Sequence, residues 1–478
     1  MSWPSHLKKI LILFVNYGTC MLWAFGQDKI KEPASERITK TVQIIKKSLP
    51  SVASIQTFKE SGTPGVYNVQ AGSASVIHES GYLLTNDHVI SGIIQGNAIL
   101  YGKAPLPFKT IARMSSEDLA IIKIETENPL EPIPIGRSND LMLGEPILTI
   151  GNPGGLNHSV STGIISGINR STSTGAAFLP WMIQTSAAVS GGNSGGPLIN
   201  ALGEQIGTIT SKQLDSENIN FAIAIDRVRE VFPKMLSPEL RYGFWLGVKI
   251  DMYGPSAKIL SVEEHSPAQR AGLIAGDIII KVDNSSISNG FDFLFSLIDR
   301  SPGESLEIEC LHNKENRQLK LMLSELELLT PVPEEGMKPG IRFEAFSGKW
   351  DKLPDFNSLE PIQEGIVQIP SEKAFIPESG EEYGLRFTGY IKIKKEGLYT
   401  FNLSSDDGSK LSIGNQLFVD NDGLHGVMSA IGMIRLKPGM HPINITFFEN
   451  SGDQKLDVSY EGPDISLQQI PADIFFTK

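Results

Sequence analysis

Short apolar runs broken by Gly, Asn and Ser fill the chain from about residue 38 to 236. Residues 53–57, 72–77, 82–85 and 120–124 are examples, rich in β-branched side chains and closely spaced. Short strands packed this densely predict a pair of all-β barrels, because a parallel α/β sheet would need a helix between successive strands. At residues 226–235 the period changes and a helix is expected to close this unit, with Pro233 and Pro238 near its end. The next unit, residues 241–329, reads as α+β. It has strand-like edges at 246–250 and 305–310, and helix-like stretches at 267–271 and 290–300 between them. Thr330-Pro331-Val332-Pro333-Glu334-Glu335-Gly336, rich in proline and acid, marks a linker over 330–337. From residue 338 to 478 turn signals recur at close intervals (Lys395-Glu396-Gly397, Asp406-Asp407-Gly408, Asp422-Gly423, Lys437-Pro438-Gly439), the mark of a β-sandwich or barrel. The fold class is therefore mainly β and multidomain.

The N-terminus adds an address. Lys8-Lys9 precede the apolar run Ile10-Leu11-Ile12-Leu13-Phe14-Val15, and Ala24-Phe25-Gly26 offers small residues for cleavage before Gln27. Residues 1–26 are thus expected to be a signal peptide. An uncleaved anchor is the alternative, although Asn16 and Gly18 break the run short of a ~20-residue span. Tyr17-Gly18-Thr19 ahead of Cys20 makes a poor lipobox, and cleavage would leave Cys310 alone, with no intramolecular disulfide. Export without disulfides points to a bacterial envelope or periplasm. With 42 basic and 54 acidic residues the net charge is −12, and no Lys/Arg stripe stands out. This excludes nucleic acid as the main partner and gives no polybasic signal for anionic lipid.

Candidate chemistry centres on Gly192-Asn193-Ser194-Gly195-Gly196-Pro197, one hydroxyl framed by glycines and a proline. An acyl-transfer nucleophile needs an exposed Oγ and backbone N–H groups turned toward the place where an oxyanion forms. Those donors would be Gly192 and Ser194, with Asn193 as a third candidate whose peptide orientation the sequence leaves open. A serine hydroxyl also needs a neutral imidazole to take its proton, and the imidazole needs a carboxylate to fix its tautomer. His88 is the candidate base, at the end of a strand-like run in Leu84-Thr85-Asn86-Asp87-His88-Val89-Ile90. His78, His158, His265, His312, His425 and His441 lack such a setting and are expected at the surface. Asp118 leads directly into the apolar run Leu119-Ala120-Ile121-Ile122, where a carboxylate is half buried. Strand alternation turns Glu117 to the other side, and Asp87, adjacent to His88, is assigned a local role. The order His88, Asp118, Ser194 is that of a chymotrypsin-type double barrel, and no Gly-x-Ser-x-Gly elbow surrounds Ser194.

Gly72-Ser73, Thr85-Asn86-Asp87-His88-Val89, Asp118-Leu119-Ala120, Gly151-Asn152-Pro153, Gln184-Thr185, the Ser194 frame and Phe221-Ala222-Ile223 together resemble the HtrA/Deg serine proteases. The resemblance covers roughly residues 38–330. It implies an exported endopeptidase, without a cofactor for catalysis, that acts on unfolded or damaged envelope proteins, often as a trimer. The chain departs from the family at Ser186 (usually Asp), at Ser190-Gly191 (usually Asn-Pro) and at Ala74 (usually Gly). These touch the loop that activates the site rather than the three catalytic candidates. Thr208 and Thr210 are expected along the substrate-pairing strand.

Phe244-Trp245-Leu246-Gly247-Val248 resembles the carboxylate-binding loop of PDZ domains, and residues 266–279 resemble the segment that follows it. Consecutive N–H groups there would receive a peptide's terminal carboxylate while the peptide adds a strand to the sheet edge. Gly384-Leu385-Arg386-Phe387, Ser404-Ser405-Asp406-Asp407-Gly408 and Leu436-Lys437-Pro438-Gly439 resemble a PA14 domain. Some PA14 domains bind glycans through calcium held by an Asp-Asp pair. Asp406-Asp407 falls at that position, with Asp420-Asn421-Asp422 as a second source of oxygens. A plain hairpin turn with aspartates capping N–H groups accounts for the same residues. Against the protease reading stands a catalytically idle or chaperone-like scaffold that binds peptides and glycans.

Overall fold

The computed structural model describes residues 35–478 apart from 62–65, 153–157, 175–176, 213–218, 376, 378–380 and 453. The expected signal segment 1–26, with Cys20, and Pro153 of the Gly151-Asn152-Pro153 motif lie outside the described residues. The chain divides into two units, Met1–Gln43 and Ile44–Lys478. The described part of the first is the turn Ser35–Arg37 and the start of helix α1 (Lys40–Ser48).

Strands β1 (Val52–Glu60), β2 (Tyr67–His78), β3 (Tyr82–Thr85), β4 (Gln95–Leu100), β5 (Leu106–Met114) and β6 (Leu119–Ile124) close into a barrel in the order β1-β2-β3-β6-β5-β4. Ile55, Val76, Leu83, Ile122 and Ile124 fill it and are fully buried, four of them β-branched residues that suit strands with alternating faces. Between β3 and β4 lies a single helical turn, α2 (Asp87–Ile90). A second barrel is made of β7 (Pro146–Gly151), β8 (Ser159–Thr174), β9 (Ala177–Thr185), β10 (Pro197–Asn200), β11 (Gln205–Lys212) and β12 (Asn220–Ala224), closed in the order β10-β11-β12-β9-β8-β7. Helix α3 (Ile225–Leu236) follows, one residue longer at each end than the pattern predicts. It buries Val228, Phe232, Met235 and Leu236, a helical stripe.

A short helix α4 (Pro238–Tyr242) leads into β13 (Phe244–Trp245), β14 (Val248–Ile250), β15 (Ala257–Val262), α5 (Pro267–Ala271), β16 (Ile278–Val282), β17 (Ser285–Ser286), α6 (Gly290–Ser296), β18 (Ser305–His312), β19 (Glu315–Met322) and β20 (Ser324–Glu325). The main sheet runs β14-β15-β16-β18-β19, which leaves β14 at an edge, while β13 pairs only with β20. Helix α6 stops at Ser296, short of the expected 300. The N–H groups of Leu297 and Ile298 bond back three residues to Leu294 and Phe295, and Asp299 then turns left-handed at φ 61°. The apolar pattern misled because Leu297 and Ile298 are buried outside the helix. Phe295 stacks on Tyr82 of the first barrel at 4.4 Å, and Phe291 meets Phe232 of α3 edge-on at 4.6 Å, so α6 locks this sheet to the protease half.

Residues 338–478 form two facing antiparallel sheets. One is centred on Tyr383–Ile393 and Gly439–Glu449, the other on Gly397–Asp406. Tyr383, Phe387, Phe401 and Phe447 fill the space between them. The proline-rich stretch is pinned to this sandwich rather than spanning solvent: Leu329 bridges Leu436 and Val332 bridges Met440. His441, expected at the surface, is fully buried on the strand Gly439–Glu449 and donates Nε2–H to the Lys437 carbonyl oxygen at 2.8 Å. Burial pushes its pKa below the usual imidazole value. His312 keeps 34% of its side chain exposed and contacts buried Asp277 at 2.8 Å.

Candidate active site

His88 stands on α2, where its side chain remains 42% exposed beside an Asp118 side chain only 5% exposed. Asp118 caps a short 3-10 turn in the left-handed region at φ 49°, a conformation aspartate tolerates better than most residues. Asn86 Nδ2 fixes its backbone by donating to the Asp118 carbonyl at 2.8 Å. The carboxylate then lies 2.9 Å from His88 Nδ1 through either oxygen and accepts the His88 backbone N–H at 3.0 Å. Thr210 Oγ1 donates to its other oxygen. An Nδ1 facing a carboxylate is a donor, so a neutral His88 ring carries its lone pair on Nε2. Glu117 points away, but it does so as the last residue of the 3-10 turn rather than by strand alternation, since the strand begins only at Leu119; it pairs with Arg227 at 2.5–2.9 Å. Asp87 is likewise local, held by Arg113 at 2.5 and 3.1 Å.

Ser194 comes from the second barrel and sits where the two barrels meet. Gly195 shows why the frame must be glycine. Its φ is +87°, and a Cβ there would lie 2.1 Å from the Ser73 carbonyl and 2.3 Å from Thr85 Oγ1, both on the first barrel. Ser73 holds the loop from the same side: its N–H donates to the Ser194 carbonyl at 2.8 Å and its Oγ to the Gly192 carbonyl at 2.7 Å. With the Gly192 carbonyl tied down, the Asn193 N–H faces the opposite way and bonds to the Ser190 carbonyl at 3.0 Å. Asn193 is therefore not a free oxyanion donor. Among the described residues the N–H groups of Gly192 and Ser194 have no hydrogen-bond partner. The single proton of Ser194 Oγ is directed at the Thr210 carbonyl at 3.0 Å, so in this state it is not shared with His88. Thr210 thus touches both Asp118 and Ser194, a position that no motif announced.

The departures upstream close local bonds. Ser186 Oγ accepts the Ile164 N–H at 3.1 Å, and its own N–H donates back to the Ile164 carbonyl at 3.2 Å. Ser190 supplies the carbonyl that engages Asn193. Ala74 lies fully buried in β2 opposite Ala53, so its extra methyl is absorbed by the barrel core. The one described cysteine, Cys310, is free and buried, and burial raises its thiol pKa, which leaves Ser194 without a rival nucleophile of that kind.

In the loop of residues 244–248, Phe244 and Leu246 bury their side chains while Phe244 and Trp245 pair with β20. Only Leu246 and Gly247 turn their N–H groups to a common point, and Val248 begins the edge strand β14. Gly247 sits at φ +80°, where a Cβ would meet Ser266 Cβ at 2.3 Å. In the sandwich, Asp406 and Asp407 come together with Glu449, which the sequence did not single out. All three are buried, with carboxylate oxygens within 4.8 Å of one another. Asp407, at φ 52°, also accepts backbone N–H groups from His425 at 3.1 Å and Asn450 at 2.7 Å, so it serves the turn as well. Asp420 and Asp422 do not join the cluster. Asp422 pairs with Lys410 at 2.7 Å, and Asp420 accepts the Asp422 N–H at 3.2 Å.

Two closed six-stranded barrels carrying these residues define a trypsin-like serine peptidase, extended here by two further domains. Family models agree: a trypsin-like peptidase domain matches residues 72–207, a PDZ domain 245–323 and a PA14 domain 370–473. The chain is 32% identical over 325 residues to the chloroplastic Protease Do-like 1 of Arabidopsis thaliana, covering 62% of this chain and 72% of that one. It is 30% identical over 336 residues to the serine protease Do-like HtrA of Bacillus subtilis, covering 62% and 75%. A probable periplasmic serine endoprotease, DegP-like, from Halomonas elongata is 35% identical over 270 residues; the match spans 53% of this chain and 56% of that relative. Among solved structures, the HtrA-type protease AlgW with tripeptide is 29% identical, with 62% and 99% coverage and a TM-score of 0.39. The chain belongs to the HtrA/Do-like family of serine endopeptidases.

Proposed function

We propose that the protein is an exported, ATP-independent endopeptidase of the envelope that cleaves unfolded or damaged proteins through His88, Asp118 and Ser194. The observation that carries this reading is the junction of the barrels. There Asp118 lies 2.9 Å from His88 Nδ1, and among the described residues the N–H groups of Gly192 and Ser194, in the loop that carries the Ser194 hydroxyl, have no hydrogen-bond partner. Ser194 Oγ leaves the Thr210 carbonyl, passes its proton to His88 Nε2 and attacks the peptide carbonyl carbon. The oxyanion is received by the two N–H groups. His88 then gives its proton to the departing amine, and a water deprotonated by His88 hydrolyses the acyl-enzyme. No cofactor is needed for this chemistry. Replacing Ser194 by Ala is expected to lower cleavage of a permanently unfolded protein by on the order of 10⁶-fold. Cleavage that persists in that variant overturns the assignment.

One observation favours the idle-scaffold alternative: the Ser194 proton is held by Thr210 rather than by His88. The His88–Asp118 pair and the match to serine endopeptidases along the barrels favour the protease reading over it. An exported location is supported by the signal-like N-terminus and by the periplasmic description of the Halomonas relative. Among the described residues no helix is long and apolar enough to cross a membrane. Assembly into trimers is supported by Val160, Ile164 and Ile168 on β8 and Trp181 on β9, which leave apolar surface exposed.

The PDZ domain captures peptide C-termini at the Leu246–Gly247 loop, with the edge strand β14 receiving the peptide backbone. The PA14 domain directs the enzyme to a glycan or protein surface, with calcium held by Asp406, Asp407 and Glu449. Three buried carboxylates this close repel one another unless protons or a cation neutralise them, and an all-oxygen donor set suits calcium. Calcium at about 100 times its Kd is expected to stabilise the fold by about 2.7 kcal/mol, an effect lost in Asp406→Asn. A thermal midpoint indifferent to calcium leaves the cluster as turn structure.

A further inference from the structure

The PDZ loop is already engaged by a carboxylate of the same chain. Glu239, on helix α4, places Oε1 2.6 Å from the Leu246 N–H and 2.9 Å from the Gly247 N–H. Two successive backbone N–H groups closing on one carboxylate oxygen is the contact a peptide's terminal carboxylate would make. We propose that Glu239 is a built-in competitor of peptide C-termini, so that an incoming carboxylate binds only after α4 withdraws this side chain. The proposal rests on the reading of the loop as a site for peptide C-termini and names the regulation of that site.

Glu239 is not an ordinary surface glutamate. Among the described residues it forms no ion pair. Burial raises its carboxyl pKa, the two N–H bonds oppose that rise, and the nearby Glu263 adds to it. The neighbouring cation is committed elsewhere: Arg241 donates to the Leu236 carbonyl at 2.7 Å and to the Met235 carbonyl at 2.9 Å. What receives the carboxylate is therefore the loop itself. Tethering favours it over a free ligand, because a group carried a few residues away in the chain has an effective concentration on the order of millimolar.

Helix α4 can hold or release that side chain. It has only five residues, far below the length at which a helix is stable alone, and left-handed Ser237 and Gly243 bound it. Two arginines fix it instead. Arg241 ties it back to the end of α3, and Arg435 of the sandwich donates Nη1 to the Leu240 carbonyl at 2.9 Å and the Arg241 carbonyl at 3.4 Å. Gly243 leaves room for that guanidinium, since a Cβ there would lie 2.8 Å from it. The element carrying the internal carboxylate is thus clamped between the protease half and the PA14 domain.

The test uses the full chain in a Ser194→Ala background, so that no probe is cleaved. A fluorescein-labelled peptide with an apolar last residue and a free C-terminal carboxylate is titrated by anisotropy, alongside its amidated counterpart. Glu239→Ala is expected to bind the free-carboxylate peptide at least about tenfold more tightly than Glu239, ~1.4 kcal/mol, with no gain for the amidated peptide. Glu239→Gln keeps the shape without the charge and is expected to fall between the two, which preserves the test if the alanine variant folds poorly. Equal affinity in all three proteins overturns the competitor role while leaving peptide capture intact. Binding to none of them overturns capture, and the proposal with it.

Discussion

Two pairs of backbone N–H groups, each proposed to receive an anion, are treated oppositely in this molecule. At Gly192 and Ser194 the pair has no partner among the described residues, and the intervening carbonyl is tied down by Ser73 Oγ and by the Asn152 N–H. At Leu246 and Gly247 the pair is filled by Glu239. In the proposed function the first site meets a charge that exists only during reaction, so an occupied hole would oppose catalysis. The second meets a charge the ligand carries permanently, so an internal carboxylate can stand in for it. Backbone donors therefore do not by themselves say whether a site is ready; what faces them does.

The comparison breaks most severely if the open pair has no activated nucleophile beside it. Asp118→Asn keeps the shape but disturbs the His88 tautomer, and kcat/KM is expected to fall by about 10⁴-fold on an unfolded protein substrate. Ser73→Ala sharpens the contrast, because it removes the shorter of the two hydrogen bonds on the Gly192 carbonyl, leaving only that from the Asn152 N–H at 3.3 Å, without touching a reacting group. Here kcat is expected to drop by roughly ten- to a hundredfold with KM nearly unchanged, less than the cost of deleting a donor outright. An unchanged kcat would mean that Ser73 does not align the pair. The smallest effect is expected at the filled pair. Arg435→Ala loosens α4 and should raise affinity for a free-carboxylate peptide by about two- to fivefold, in line with modest long-range coupling. Affinity that falls or stays level would detach the PA14 domain from the control of that loop.

Much of the protease half was legible, its barrels and peptidase class above all, because it is written in short local motifs. His88 and Ser194 each sit in a run whose glycines, asparagines and apolar neighbours state the backbone needed around them, and Asp118 is marked by the strand it introduces. Contacts made across long sequence distances were not legible. Thr210 meets Asp118 and Ser194 only because β11 passes between them, and Glu449 reaches Asp406 only through the sandwich register. The direction of the Asn193 N–H depends on a peptide plane fixed by Ser73 from the other barrel. Glu239 lies in a five-residue helix between the two units read from the sequence, and its proposed role arises only in the folded approach of α4 to the loop. His441 misled for the reason α6 did: a turn-rich or apolar neighbourhood reports composition, whereas burial is decided by the strand or turn it joins.

The central claim is that the chain is a serine endopeptidase whose nucleophile is Ser194 and whose base is His88. Labelling the full chain with a serine-directed phosphonate and locating the adduct by mass spectrometry tests it directly. The account predicts one adduct, on Ser194, slowed by orders of magnitude in His88→Ala. No adduct on Ser194 in the folded protein, or equal labelling without His88, would contradict it.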